Sequence, residues 1–275
     1  APGRISCRGC EQRQPPWRAP LSHVEPAIVT IQISVRLDYW FEQPSDVLIQ
    51  VEAAVSDGQT ISQAHIAITP CEYVARVPAQ DDIGTRTWLR IQGKMEVEYQ
   101  ATVTIDRQET DWPKLAAVPL HFLPGDAVQY LLPSRYCQSD QFTDFVKQQF
   151  GGFEGGAKIA AMRDWIAGHL SYVPGSSDGT TTAVETFHGA EGICRDYAHL
   201  MVTFARAAEI PARVASVYAP GVTPPDFHAV AEVFVGGAWH FVDATGMASP
   251  DTIAKIGVGR DAADVAFMTA YGMSE

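Results

Sequence analysis

Long apolar runs are missing from this 275-residue chain. No stretch approaches the roughly 20 consecutive apolar residues of a membrane-spanning helix, and the N-terminus lacks the apolar core of a secretory signal. Basic charge is scarce: 20 Lys and Arg stand against 32 Asp and Glu, a formal net charge of −12. Phosphate backbones and anionic lipid repel such a chain, so nucleic acid and membrane surfaces are poor partners. Cysteines are few and odd in number: Cys7, Cys10, Cys71, Cys137 and Cys194. They do not make the framework of a disulfide-stapled secreted protein, and a reducing cytoplasm is the simpler expectation. Metal-ligand spacing is missing too. There is no His-x-x-x-His pair and no clustered ligand set. Cys7 and Cys10 form a C-x-x-C, but no second pair follows to supply the roughly four ligands of a zinc site. The expectation is no metal and no cofactor. Internal repeats and low-complexity tracts are absent as well.

What is present is globular composition, 46% hydrophobic and 19% charged, with ample apolar material for a core. Residues 1–27 are rich in Arg, Pro, Gln and Gly without periodicity and read as a flexible leader. From Ile28 the period is two. Val29, Ile31, Ile33, Val35, Leu37 and Tyr39 alternate with mostly polar neighbours. Val47, Ile49, Val51, Ala53 and Val55 repeat the pattern up to an Asp57-Gly58 turn. Met95, Val97, Tyr99, Ala101, Val103 and Ile105 repeat it again, after an expected turn at Gln92-Gly93-Lys94. Residues 28–110 therefore predict an antiparallel β-sandwich or half-barrel. Segment 111–137, with four prolines, predicts a connector that packs on both halves. From 138 to 275 the pattern is α+β. Phe142, Phe145, Val146 and Phe150 fit one short helix, and Ile159, Met162, Ile166 and Leu170 fit a second over 156–170. A third is expected from Cys194 to Glu209, stopped by Ile210-Pro211. Strands follow at 212–219, in a hairpin over 227–245, and at 253–258.

Two features carry chemistry. Cys194 follows a glycine-bearing loop, Gly189-Ala-Glu-Gly192-Ile, and opens a helix. Unpaired N–H groups and the positive end of the helix dipole favour a thiolate there. A cysteine by itself reads equally as a small buried hydrophobe. The hairpin adds the rest. Gly236-Gly237 between two alternating apolar runs is a two-residue turn signal. That loop pairs Val235 with Ala238, Val230 with Asp243 and His228 with Thr245. His228 and Asp243 then become diagonal neighbours on one face, roughly 7–8 Å apart at the backbone, with His240 on the other face. A four-residue loop keeps this register and an odd loop breaks it. A carboxylate bonded to one ring nitrogen fixes the tautomer and leaves the other nitrogen to face a thiol.

These pieces resemble the core domain of bacterial transglutaminase-like proteins, often described as cysteine proteases. The matching segments are Gly192-Ile-Cys194-Arg-Asp-Tyr-Ala-His, Ile210-Pro-Ala-Arg213, Asp226-Phe-His228-Ala-Val-Ala-Glu, Trp239-His-Phe-Val-Asp243-Ala-Thr245 and Gly257-Val-Gly-Arg260-Asp261-Ala-Ala-Asp264. The resemblance runs from about residue 130 to 275 and more loosely through the β-rich region. It implies a papain-like core with Cys194 as nucleophile, His228 as general base and then acid, and Asp243 as the orienting carboxylate. The implied reaction is acyl transfer from a peptide or protein amide through a thioester. For the oxyanion, the Cys194 backbone N–H is one donor and Tyr172 a candidate second. The calcium loops of animal transglutaminases are not apparent.

Other residues draw plainer readings. Tyr197 and His199 are expected to pack, and Asp196 to cap or orient the loop. Arg260, Asp261 and Asp264 suggest an ion-pair network bracing the site or a part of the substrate cleft. His188 reads as an exposed loop residue, while Phe227 and Pro224-Pro225 are placed to shape a cleft. Hydrolysis by a peptidase or amidase, glutamine transamidation by the same triad, and a noncatalytic binding module all remain open at this point, a metalloenzyme only weakly. Nothing in the sequence sets an oligomeric state.

Overall fold

The computed structural model describes residues 28–107, 109–223 and 225–272. Residues 1–27, with Cys7 and Cys10, lie outside the described part, as does Pro224.

The β-rich region contains β1 (Val29–Ile49), β2 (Gln59–Ile68), β3 (Tyr73–Pro78) and β4 (Thr85–Ile105). Short helices and turns occupy residues 112–141, including α1 (Gly125–Val128). The core then runs α2 (Thr143–Phe150), α3 (Gly155–His169), β5 (Ser171–Tyr172), α4 (Ala183–Gly189), β6 (Glu191–Gly192) and α5 (Cys194–Ala207). It continues with β7 (Ala212–Tyr218), β8 (His228–Val235), β9 (Ala238–Val242), β10 (Ala254–Gly259), α6 (Ala262–Val265) and β11 (Met268–Tyr271). Within the described residues this is the expected α+β class with antiparallel sheets.

All strands of the β-rich region fall in one five-stranded antiparallel sheet, order β11-β1-β4-β2 with β3 also on β4. Of the two forms expected, sandwich or half-barrel, the one-sheet form is the one built. Two expectations change here. Gln92-Gly93-Lys94 is not a turn. Gly93 sits inside β4 opposite Phe41, where the β1–β4 register shifts between Phe41 and Ser45. Its φ of +83° is open to glycine, and glycine inside a strand marks a bulge as often as a turn. β1 also runs unbroken through Pro44 to Ile49, with Pro44 inside that irregular stretch, whereas Val51, Ala53 and Val55 fall outside any strand.

The second sheet, β10-β7-β8-β9, is antiparallel throughout. α5 packs on β7 and β8, and every residue from Asp196 to Arg206 is buried. Leu200, Met201 and Phe204 meet Phe142, Phe150, Ile159, Met162 and Ile166 on one side and Val214, Ala231 and Val233 on the other. Each such side chain contributes about 1.5–3 kcal/mol by burial. A rigid helix is therefore what carries Cys194.

Polar bonds between buried groups fix the first sheet to the core. Tyr218 Oη donates to the Val51 carbonyl, and Gln59 Nε2 donates to Ala54 and Lys255 carbonyls. Asp81 accepts from Arg213 and from Tyr130 Oη. Arg213 and Lys255 in turn both pair with buried Glu232. Finally, β11 returns from the core to add to the edge of β1, so the first sheet is completed by residues that follow the nucleophile in sequence.

Candidate active site

Ile193 precedes α5 in extended conformation and has no side chain that can cap a helix. Asp196, at the third helical position, supplies the missing bond instead: its Oδ2 accepts from the Ile193 N–H at 2.9 Å. The same carboxylate accepts from Ser177 Oγ and from Arg195, whose Nη2 lies 3.1 Å from Oδ1. Asp196 is fully buried. A Cβ on Gly192 would stand 2.7 Å from Asp196 Cβ, so glycine is what lets the loop close over this carboxylate. Asp196 thus ties the start of α5 to the backbone of the loop before it.

The hairpin has the register that a Gly236-Gly237 turn dictates, with Val235 opposite Ala238 and Ala231 opposite Val242. His228 Nε2 and Asp243 Oδ2 are 3.0 Å apart. Asp243 also accepts from Thr245 N–H and Oγ1 and from the Ala248 N–H. Burial alone would raise its pKa, but the bond to His228 and the Thr245 bonds hold it below the ordinary carboxylate value. It is therefore an ionised acceptor, and Nε2 of His228 carries a proton.

The other ring nitrogen, Nδ1, is buried and without a hydrogen-bond partner among the described residues. The Cys194 thiol is the nearby group that acts on it. Burial disfavours the imidazolium, yet the hydrogen bond to Asp243 and then the interaction with Cys194 outweigh burial and raise the His228 pKa to about 9. His240 lies on the other face of the hairpin, near Thr110 and Trp112.

Tyr172 reaches the same place from another direction. β5 and β6 form a two-residue parallel bridge that sets Tyr172 beside Gly192. Burial, followed by the electrostatic influence of the neighbouring Cys194, raises the Tyr172 pKa, and its hydroxyl interacts with the Cys194 backbone. The side chain remains 38% exposed.

Cys194 and His228 open onto a cleft of about 600 Å³. Its walls include Tyr136, Phe227, Val265 and Phe267, with Arg135 and Arg195 at the rim. Phe227 and Phe267 stack at 4.8 Å, nearly parallel. Among the described residues, no three His, Cys, Asp or Glu side chains converge as metal ligands would. No described helix is long and apolar enough to cross a membrane.

Residues 140–244, which include Tyr172, Cys194, Asp196, His228 and Asp243, match the family model of the transglutaminase-like superfamily. A candidate cysteine protease from Cytophaga hutchinsonii has 32% identity and a TM-score of 0.81, over 90% of this chain and 89% of that one. The chain belongs to the transglutaminase-like superfamily. An uncharacterized protein of Mycobacterium leprae is 31% identical over 118 residues, 40% of this chain and 42% of that relative. The match thus spans less than half of that relative's length. The periplasmic domain of TgpA from Pseudomonas aeruginosa aligns over 80% of this chain and 78% of that one, at 19% identity and a TM-score of 0.43, too distant to inform chemistry.

Around this transglutaminase-like core the remaining residues take structural places. Tyr197 Oη donates to the Leu170 carbonyl. His199 is buried, stacks on Tyr136 at 5.2 Å and accepts from the Ala262 N–H through Nε2. Burial pushes its pKa down to about 4. Arg260 pairs with Asp264 at 2.9 Å, whereas Asp261 caps α6 and accepts from the Tyr136 N–H. His188 is exposed at the end of α4. Three contributors escape the sequence reading. Thr245 was readable, since an Asp followed two residues later by Thr is a local turn pattern. Tyr136 and the β11 wall were not, because tertiary packing alone brings them to the cleft.

Proposed function

We propose that the chain is a cysteine-dependent acyl-transfer enzyme that hydrolyses peptide or isopeptide amides in protein substrates. One observation carries the reading: an imidazole held by an ionised carboxylate has its second nitrogen buried, unpartnered and next to a thiol at a helix start. Family membership supports the same class.

In this reading Asp243 orients His228, whose Nδ1 takes the Cys194 proton or already holds it as an imidazolium–thiolate pair. The Cys194 thiolate attacks the amide carbonyl, and the oxyanion is held by the Cys194 N–H and the Tyr172 hydroxyl. The C–N bond breaks as Nδ1–H gives its proton to the leaving amine, and a thioester remains. Nδ1 then takes a proton from water as its oxygen attacks the thioester. The C–S bond then breaks, the Cys194 sulfur returns as thiolate beside the protonated His228, and the acid product leaves. Hydrolysis is the reading that needs no second binding site for an amine acceptor.

The reading carries a reducing compartment with it, the cytoplasm in the simplest case. The three described cysteines, Cys71, Cys137 and Cys194, are unpaired thiols.

The test is alkylation by iodoacetamide across pH, with adducts mapped by mass spectrometry. Cys194 labels fast near neutral pH and slows in His228→Ala. Labelling of Cys194 no faster than Cys71 would return the chain to the noncatalytic reading. Peptide and isopeptide amides, with and without an added amine, then separate hydrolysis from transamidation.

A further inference from the structure

β11 is an edge strand. One side pairs with β1, and no strand pairs with its other side among the described residues. The ladder shows which groups that free side presents. Gln50 N–H donates to the Phe267 carbonyl, and the register pairs Leu48 with Thr269 and Asp46 with Tyr271. Antiparallel pairs alternate between bonded and non-bonded. Phe267, Thr269 and Tyr271 therefore direct their backbone groups to β1. Met268 and Ala270 direct their N–H and C=O groups away from it.

The same strand borders the site. Phe267, Thr269 and Tyr271 line the cleft that Cys194 and His228 open onto. Met268 and Ala270 pack on the interior of the first sheet, which holds the strand in place while its outer edge is free of strand pairing among the described residues. An open edge beside an apolar cleft is the arrangement that takes up an extended chain by backbone pairing, with side chains settling in alternate pockets.

We propose that the acyl donor is an extended polypeptide that pairs with β11 as an added strand of the first sheet. It bonds to the backbone of Met268 and Ala270 and lays an apolar side chain against the Phe227–Phe267 stack. This inference rests on the reading of Cys194 as nucleophile. It gives the β-rich region a role in substrate recognition, and it makes the substrate class an unfolded or loop segment of protein rather than a small free amide.

The test uses two probes with one warhead, methyl vinyl sulfone and acetyl-Leu-Ala-Leu-Ala vinyl sulfone, and reads the rate of Cys194 labelling. The peptide labels about tenfold faster or more, the product of two net backbone hydrogen bonds. N-methylation of the peptide at one alternate set of residues removes that advantage, and methylation of the other set spares it. In Ala270→Pro the ratio of peptide to small-probe rates collapses, since proline deletes an outward N–H without deleting a bond to β1. The N-methyl series needs no variant, so it decides the matter if Ala270→Pro fails to fold. Suppose the peptide has no advantage, or the two methylation sets behave alike, while Cys194 still outpaces Cys71 and slows in His228→Ala. Strand pairing is then overturned and the nucleophile stands. If no probe labels Cys194 faster than Cys71, the nucleophile fails and this inference falls with it.

Discussion

Two buried histidines, His199 on α5 and His228 on β8, face opposite electrostatic outcomes within one core. Both are almost wholly out of water. His199 accepts a backbone N–H through Nε2, a bond only the neutral ring makes, and burial outweighs the pull of Asp261, so its pKa falls to about 4. His228 meets the ionised Asp243 and the thiol, and its pKa rises to about 9 despite burial. Burial by itself thus does not mark a functional imidazole. The chemistry of the partner, and whether a nitrogen is left free toward a cleft, does.

The largest expected effect comes from removing the partnered histidine. His228→Ala should slow acyl transfer by about 10²–10⁴-fold, the range of general acid–base catalysis, as read by single-turnover thioester formation. Asp243→Asn should come next. It leaves a hydrogen-bonding side chain but withdraws the charge, so the His228 pKa, followed by ring-proton NMR, drops from about 9 toward its ordinary value. Activity should fall on the order of 10²-fold or more. An unchanged pKa would dissolve the contrast between the two histidines. His199→Ala should lower unfolding stability by about 1–3 kcal/mol, because the Ala262 N–H loses its acceptor inside the protein. Cys194 labelling should move little. A large loss of labelling there would make His199 part of the machinery.

The smallest effects are in the pH dependence of stability, and the two rings act on opposite sides. His199 binds its proton more weakly when folded, so stability falls as pH drops from about 6.5 toward 4. His228 binds its proton more tightly when folded, so its contribution is full below about 6.5 and is lost as pH rises through about 9. Denaturant titrations should give a dome whose acid limb flattens without His199 and whose alkaline limb flattens without His228.

Much of this contrast was readable from the chain. The hairpin register followed from Gly236-Gly237 and strand alternation, because a two-residue turn fixes pairing over the whole ladder. The helix start at Cys194 followed from a glycine-bearing loop and apolar periodicity. The bulge at Gly93 was misread as a turn because the two share glycine's left-handed conformation. α4, β5 and β6 are too short to leave a period, although the capping pattern Thr182-Ala-Val-Glu185 was there to be seen. β11 was illegible because its partner, residues 46–49 of β1, stands at the far end of the fold in sequence.

That separation has a consequence for how the protein comes into being. A ribosome makes Cys194, His228 and Asp243, and the helix and hairpin that hold them, well before it makes β11. β11 is the last described strand to be made, so the edge of β1 and the far wall of the cleft are completed only when the end of the described chain is in place.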